Sequence, residues 1–190
     1  MKNFDELKNI ESGRKCVIIG GGCSVSEFDF KSLDKNIKRI AVNRCFVGTR
    51  IDYQIYSDNF FIEWNKKYPI EDHIVLISHE KKSCERTDFS YDWDDIVEGF
   101  HTGFYALQVA VQLGFTEIYL IGFDYYDDNG KLHYYEGKFN TSLLPIERKF
   151  FLRQLHSGRL IADFDRIDWP VKIYNCNTKS QLKRFDFKKP

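Results

Sequence analysis

The chain has 190 residues, 43% of them hydrophobic and 29% charged, and its 28 basic side chains balance 28 acidic ones. This length suits one domain, residues 1–190, with a large buried core, while the balanced charge argues against a nucleic-acid binder, which needs excess Lys and Arg. The five cysteines form no Cys-x-x-Cys pair and no apolar run approaches the ~18 residues of a membrane span, so we expect a cytoplasmic protein without disulfides or a transmembrane segment.

Six short apolar runs, each bounded by turn residues, dominate the hydrophobic pattern. They are continuous rather than alternating, as in strands that are buried on both faces of a parallel sheet. We therefore predict strands at residues 16–19, 40–42, 53–56, 74–77, 118–121 and 171–174.

Two helices are predicted between these strands. Residues 102–113 form an apolar segment in which Thr102 is placed to cap the first turn and Gly114 follows the last. Residues 144–155 form the second helix, with Pro145 in its first turn. The alternation predicts an α/β fold, a single Rossmann-like domain with a mostly parallel sheet and helices on both faces.

Two regions carry a weaker pattern. Residues 81–99 are rich in Ser and Asp, which predicts a surface loop or a mobile flap. The basic tail, residues 183–190, is predicted to be a mostly exposed end. Both are expected to lie outside the core.

The stretch Gly20-Gly21-Gly22-Cys23-Ser24 follows the predicted strand that ends at residue 19. Glycines let the backbone approach a ligand closely, and successive N–H groups in such a turn form a nest for anionic oxygens, to which Ser24 adds a hydroxyl. The stretch has neither the Lys of a Walker loop nor the G-x-G-x-x-G spacing of a dinucleotide fold. It predicts a phosphate cradle, and a tight strand-to-helix turn is the alternative.

Polar residues also follow two further strands and begin the first helix. Ligands of open parallel sheets bind at the carboxyl ends of the strands, so groups there are placed to contact a base or a ribose. A helix N-terminus favours an anion. Taken alone, each strand-end group has turn formation as its alternative explanation, and Thr102 has helix capping. The binding residues predicted in this way are Asn43, Arg44, Ser57, Asp58, Thr102 and Gly103.

Residues 122–135 hold the densest set of chemically useful side chains. Asp124 and His133 lie there with four of the tyrosines that contribute to the high aromatic content, 16% of the chain. A carboxylate, phenols and a histidine can supply a general base and donors to a departing phosphate. The alternative is a turn around Asn129-Gly130.

No metal site is expected. His73 and His79 flank one predicted strand and lie about 20 Å apart, too far to share an ion. Asp127 and Asp128 directly precede Asn-Gly, where an acidic pair is typical of a turn.

In four stretches, at residues 16–28, 42–46, 102–124 and 173–185, the sequence resembles the small bacterial sialyltransferases that decorate lipooligosaccharide. Residues 16–28 resemble that family's first strand and Gly-Asn-Gly-Pro-Ser loop, and residues 42–46 resemble its next strand with an Arg-Cys-Asn end. Residues 102–124, which read Thr-Gly-Phe-Tyr and later Leu-Gly-Phe-Thr-Glu-Ile-Tyr-Leu-Ile-Gly-Phe-Asp, resemble its central helix and strand most closely. Residues 173–185 resemble its last strand and a following Asn-Ser-x-Leu segment.

The resemblance implies a metal-independent glycosyltransferase without a resident cofactor. Such an enzyme takes a CMP-linked sugar as donor and transfers the sugar, with inversion, to a saccharide or other hydroxyl acceptor. Carried over by position, the residues that would hold cytidine and phosphate are Gly20, Gly21, Gly22, Ser24, Asn43, Thr102, Gly103 and Asp124.

The resemblance also implies catalytic roles. Tyr126 and one of Tyr134 or Tyr135 would donate to the departing phosphate, and His133 would be the base that deprotonates the acceptor. Gly21 and Cys23 stand where the family has Asn and Pro. The family's lid over the sugar is expected to be reduced or absent.

Two alternatives come from a second resemblance. The archaeal-type 6-hydroxymethylpterin diphosphokinases, with related phage-encoded proteins, share the loop, helix and strand without the lid. One alternative is therefore a magnesium-dependent diphosphokinase that uses Asp124, Asp127 and Asp128. The other is a non-catalytic nucleotide-binding protein, because an open site excludes water poorly. A small sheet with exposed aromatic residues also favours a homo-oligomer.

Overall fold

The computed structural model describes residues 2–45, 48–57, 59–67, 70–79, 84–92, 95–136 and 145–190. Within these ranges the chain forms nine strands and four α-helices. The strands are β1 (Lys2–Asn3), β2 (Lys15–Ile19), β3 (Lys38–Val42), β4 (Tyr53–Tyr56), β5 (Val75–His79), β6 (Phe89–Tyr91), β7 (Glu117–Ile121), β8 (Lys172–Asn175) and β9 (Asp186–Phe187). The helices are α1 (Asn59–Lys67), α2 (Thr102–Gln112), α3 (Pro145–His156) and α4 (Arg159–Ala162), and 3₁₀ turns span Phe4–Leu7, Cys23–Glu27 and Asp163–Arg166.

All nine strands belong to one open parallel sheet, in the order β1-β6-β5-β4-β3-β2-β7-β8-β9. From β2 the chain adds β3, β4, β5 and β6 successively on one side. It then returns to place β7 and β8 on the other side of β2. The direction of winding therefore reverses between β2 and β7. This arrangement confirms the predicted α/β, Rossmann-like fold with a parallel sheet.

The core lies along the central strands. All four residues of β4 are buried, as are four of the five in both β2 and β7. Since successive side chains of a strand point to opposite faces, both faces of these strands are covered. Helix α2 packs against β2, β3 and β4 and buries most of its residues. Continuous apolar runs are the expected sequence pattern of such strands.

Each of the six predicted strands is present, with ends that differ by at most two residues. The interpretation of residues 81–99 as only a loop or flap is wrong, because they include β6, which pairs with β5 and β1. Three residues are too few to show a period, yet Tyr91 in this strand is 1% exposed and its ring contacts Phe4.

The tail, residues 183–190, is mostly exposed as predicted, but it also contains β9, which pairs with β8 at the sheet edge. Helix α2 begins at Thr102 as predicted and ends one residue earlier. Residue 144, the predicted start of the second helix, lies outside the described residues, and α3 runs from Pro145 to His156. Of the helices described, none is both long and apolar enough to cross a membrane.

Candidate functional site

A cleft opens where the sheet reverses its winding direction. Ile19, the last residue of β2, pairs with Ile121, the last residue of β7, so the loops that follow these two strands leave the same edge side by side. In open α/β sheets this is the place where ligands bind. We call this space the switch-point cleft; it encloses about 640 Å³, including space open to solvent. Its lining residues are Gly20, Gly21, Gly22, Val42, Asn43, Cys45, His101, Thr102, Gly103, Gly122, Phe123, Asp124, Tyr125, Tyr126, Leu132, His133, Tyr135 and Phe151.

The glycine loop after β2 is packed tightly against the loop after β7. The Gly20 N–H donates to the Ile121 carbonyl at 2.7 Å, and the Gly22 N–H donates to the Gly122 carbonyl at 2.8 Å. A Cβ at either glycine would lie 2.7 Å from the Gly122 carbonyl oxygen. Part of the glycine content is thus explained by backbone packing rather than by a ligand.

Only part of the predicted anion nest keeps free donors. The N–H groups of Gly20, Gly22 and Ser24 are all engaged within the protein. Among the described residues, nothing accepts the N–H of Gly21 or Cys23, so these two amides are the ones available to an anionic oxygen. Burial raises the pKa of the Cys23 thiol to about 11, which keeps this thiol protonated at neutral pH.

Asp124 joins three segments of the chain beneath the cleft. Its carboxylate is 2% exposed and accepts the Ser24 N–H at 2.8 Å, the Ser24 hydroxyl, and the Asn177 side-chain amide at 2.9 Å. Its backbone carbonyl accepts the Gln181 N–H at 2.9 Å. Three donors satisfy the hydrogen-bonding capacity that burial would otherwise leave unmet in this carboxylate. Asp124 therefore holds the two loops and the C-terminal segment together.

A row of hydrogen-bonded polar side chains connects the ends of β3 and β4 with the start of α2 at one side of the cleft. Asn43 has a left-handed backbone (φ 50°), and its side-chain amide donates to the Thr102 hydroxyl at 3.1 Å. The Thr102 hydroxyl also hydrogen-bonds the Ser57 hydroxyl at 2.5 Å. The Asn43 carbonyl accepts the side-chain amide of Gln54. These bonds orient the Asn43 amide, whose Oδ1 is buried and has no partner among the described residues.

His101, rather than the predicted Thr102, caps helix α2. Its Nδ1 accepts the Phe104 N–H at 3.3 Å, while its Nε2–H donates to the Leu160 carbonyl at 2.9 Å. Burial lowers the pKa of the imidazole from 6.5 to about 4, so the ring is neutral at pH 7. The prediction of Thr102 as the cap was wrong. The side chain of His101, the residue before the helix, accepts a backbone N–H hydrogen bond of the first turn, as a Thr hydroxyl would at a cap.

His133 lies directly on the glycine loop. A Cβ on Gly21 would be only 2.5 Å from His133 Cδ2, and the Tyr134 N–H donates to the Gly21 carbonyl at 2.9 Å. The imidazole stacks on the Tyr135 ring, with centroids 4.9 Å apart, and contacts the Phe151 ring at 5.1 Å. His133 is thus fixed beside the free Gly21 amide.

The tyrosines of this region take different positions. Tyr126 and Tyr135 line the cleft, whereas Tyr134 is 8% exposed and does not. Burial raises the pKa values of the Tyr126 and Tyr134 phenols, which therefore keep their protons at neutral pH. The Arg44 guanidinium lies 5.4 Å from the Tyr135 ring centroid, in the range of a cation–π contact.

The structure brings most of the predicted site residues together. Those that line the cleft are Gly20, Gly21, Gly22, Asn43, Thr102, Gly103, Asp124, Tyr126 and His133. Ser24 hydrogen-bonds Asp124, and Ser57 hydrogen-bonds Thr102, so each contacts a lining residue. The Arg44 guanidinium and the Tyr134 ring both contact the Tyr135 ring. Asp58 lies outside the described residues.

Four residues that the geometry makes important were not among the predicted binding or catalytic residues. Asn177 donates a hydrogen bond to Asp124, and Glu136 accepts one from the His133 N–H. His101 and Phe151 line the cleft. His101 stands beside Thr102 in the sequence, and Asn177 lies within the final segment of the family resemblance. Nothing in the sequence pattern points to Glu136 or Phe151.

The described residues contain no group of three or more His, Cys, Asp or Glu side chains arranged to hold a metal ion. Asp127 instead accepts the Gly130 N–H at 2.5 Å, and the Asp128 and Lys131 backbones hydrogen-bond each other. These contacts form the turn that was predicted as the alternative around Asn129-Gly130.

No protein-family model matches the sequence, and the search of curated proteins found no match. In its fold the chain is similar to the sialyltransferase CstII from Campylobacter jejuni in complex with the substrate analogue cytidine-5′-monophosphate, with a TM-score of 0.63 and 19% identity over 94% of this chain and 86% of that one. CstII with a trisaccharide acceptor and CMP gives a TM-score of 0.60 at 18% identity, over 93% and 86% of the two chains. The α-2,3-sialyltransferase Cst-I from the same organism gives 0.57 at 16% identity, over 93% and 81%. The chain therefore shares the fold of these sialyltransferases across almost its whole length.

Proposed function

We propose that this chain is a glycosyltransferase of the sialyltransferase type, which binds a CMP-linked sugar in the switch-point cleft and transfers the sugar to a hydroxyl of a saccharide or other acceptor. The nucleotide sugar is a substrate, and no resident cofactor or metal takes part. The observation that carries the proposal is the placement of free amides, hydroxyls, phenols and a histidine in that cleft, in a fold shared with sialyltransferases solved with CMP.

The free donors of the cleft suit one anionic nucleotide. The Gly21 amide of the cleft, the Cys23 amide two residues further along the same loop and the N-terminus of α2, an eleven-residue helix, offer N–H groups to a phosphate. The Asn43 Oδ1 is an unpartnered acceptor for an amino or hydroxyl group of the nucleoside. A site built from neutral donors explains how a chain with no net charge could bind such a ligand.

In the proposed reaction the acceptor oxygen attacks the anomeric carbon as the bond from that carbon to the phosphate oxygen breaks. CMP leaves with the bonding electron pair, and the acceptor proton passes to His133 Nε2. Tyr126, which retains its proton, donates a hydrogen bond to the departing phosphate. Of the two candidates for a second donor, Tyr135 fits better than Tyr134 because it lines the cleft.

Binding is tested first by thermal unfolding with CMP, CMP-linked sugars and ATP. A ligand that binds only the folded state at 100 times its Kd stabilises by about 2.7 kcal/mol, which raises the Tm of a domain of this size by roughly 5–10 °C. We expect this shift with CMP and not with ATP. A shift with ATP alone would support the diphosphokinase alternative.

Catalysis is tested by incubating the protein with CMP-linked sugars and measuring CMP release and sugar transfer. His133→Ala should lower turnover by about 10²–10⁴-fold, the usual contribution of a general base, while CMP binding persists. His73→Ala is the matched control, since His73 is exposed and distant from the cleft.

Unchanged turnover in His133→Ala would remove His133 from the reaction. Activity that requires ATP and disappears with a chelator would replace the glycosyltransferase proposal. CMP binding without turnover of any CMP-linked sugar would support the non-catalytic alternative.

A further inference from the structure

The Glu136 carboxylate is bound on several sides beside His133. Its Oε1 accepts the N–H groups of Leu132 at 2.8 Å and His133 at 2.9 Å. Its Oε2 accepts Nη1 of Arg148, from helix α3, at 3.0 Å. The same Arg148 donates to the Gly130 carbonyl, so it joins α3 to both ends of this turn. The position of Glu136 is therefore fixed independently of the His133 ring.

The imidazole of His133 presents one nitrogen to this carboxylate. Nδ1 lies 3.5 Å from Glu136 Oε1, and both side chains are mostly buried, with 14% and 15% exposed. Nδ1 is itself buried and has no hydrogen-bond partner among the described residues. The neighbouring rings of Tyr135 and Phe151 bring no charge to it. Glu136 is thus the group that decides which tautomer is favoured.

Electrostatics distinguish the two neutral tautomers. If Nδ1 carried a lone pair, it would face the carboxylate at close range in a partly buried site, which is repulsive. If Nδ1 carries the proton, the positive end of its N–H dipole lies close to the anion, which is attractive. The carboxyl remains ionised at neutral pH, since His133 and the backbone N–H groups lower the pKa of Glu136 to about 2. The Nδ1–H tautomer is therefore the stable one.

We infer that Glu136 is a positioning residue that holds His133 as the Nδ1–H tautomer and leaves the Nε2 lone pair for a proton from the substrate. The role in turnover rests on the proposed function, whereas the tautomer does not. No described residue hydrogen-bonds Nε2, and the ring lines the cleft beside Gly21. Glu136 acts on the reaction only through His133.

Nitrogen-15 NMR of the histidine rings tests the tautomer directly, because protonated and unprotonated ring nitrogens resonate far apart. His101 is an internal reference for the opposite form, since its Nε2–H donates to the Leu160 carbonyl. We expect His133 to show the Nδ1–H pattern in the unmodified protein. In Glu136→Ala the ring should move toward the Nε2–H form that free imidazole side chains favour.

Kinetics supply the second readout. Glu136→Ala should lower kcat at least about tenfold with a smaller change in the donor KM, because a histidine in the wrong tautomer cannot act as base; in serine proteases such a change costs about 10⁴. Glu136→Gln keeps an oxygen for the two backbone N–H groups and removes the charge, so it preserves the turn and should give intermediate effects. It is the variant to use if the alanine protein does not fold.

The exposed pair of Glu71 and His73 offers a matched control. Glu71 Oε2 lies 3.4 Å from His73 Nδ1, but the side chains are 76% and 51% exposed, so solvent screens the interaction. Glu71→Gln should leave turnover and the His133 ring signals unchanged.

An Nε2–H pattern for His133 in the unmodified protein would overturn the inference, as would Glu136 variants in which neither the ring signals nor kcat change. If the NMR result is as expected but no CMP-linked sugar is consumed, the proposed function fails and the tautomer assignment stands.

Discussion

Replacement of Gly21 by Ala tests the contact between the glycine loop and His133. The added Cβ would lie 2.5 Å from His133 Cδ2, about 0.9 Å closer than the 3.4 Å at which ordinary contact begins. Gly21 does not have a positive φ, so the backbone accepts an alanine and the clash is the only conflict. The imidazole is held by Tyr135 and Phe151 and has little room to withdraw.

Two opposing terms set the change in stability. A Gly-to-Ala change at a compatible backbone position stabilises by roughly 0.4–1 kcal/mol through the unfolded chain. Overpacking costs roughly 1–3 kcal/mol. We expect Gly21→Ala to lose about 1–2 kcal/mol in urea unfolding. A displacement of His133 by nearly 1 Å should lower turnover about 100-fold.

The double variant Gly21→Ala/His133→Ala isolates the contact. Without the imidazole, the nearest remaining side-chain atom is Tyr135 Cε1 at 3.5 Å, an ordinary distance. Gly21→Ala should then stabilise the His133→Ala protein by roughly 0.4–1 kcal/mol, a reversal of sign. Equal destabilisation in both backgrounds, or full turnover in Gly21→Ala, would refute the placement of His133 on this loop.

Two further predictions concern stability. Burial lowers the pKa of His101 from 6.5 to about 4 in the folded protein. Below pH 6.5 the unfolded chain therefore binds a proton on His101 that the folded protein does not, so the free energy of unfolding is highest above pH 6.5 and falls as the pH drops toward 4. Between pH 7.5 and pH 5 this loss of stability is about 2 kcal/mol. The variant His101→Asn keeps a capping oxygen but cannot titrate, so the urea midpoint should depend less on pH by this amount. An unchanged pH dependence would contradict the assignment. Asn177→Ala removes a donor from the buried Asp124 carboxylate, so it should lower the free energy of unfolding by roughly 1–3 kcal/mol and weaken CMP binding. Wild-type stability in this variant would show that Ser24 alone satisfies Asp124.

The central part of the fold was predictable because its strands are buried on both faces. Continuous apolar runs such as residues 118–121 indicate such strands without knowledge of their neighbours. The short outer strands β1, β6 and β9 were not found, because they have two, three and two residues and gain their stability from pairing with neighbouring strands. Hydrophobic periodicity cannot report a partner that is distant in sequence.

The same distinction applies to the site. Parallel topology brings the ends of β2, β3 and β7 to one edge, so the predicted residues Gly21, Asn43 and Asp124 meet there. The finer contacts depend on turn geometry that composition does not encode. One is the return of Glu136 to His133 within a single turn, and another is the capping of α2 by His101 in place of Thr102.

The contacts of Asp124 have a consequence for the order in which the protein can acquire its site during synthesis. Ser24 precedes Asp124 by 100 residues, and Asn177 follows it by 53. A growing chain cannot complete this junction until Asn177 has left the ribosome, and closure of such long loops is entropically costly and slow. Any partly synthesised chain that ends before Asn177 would lack the finished cleft. On the proposed function, nucleotide binding should therefore begin only after the segment that carries Asn177 has been made.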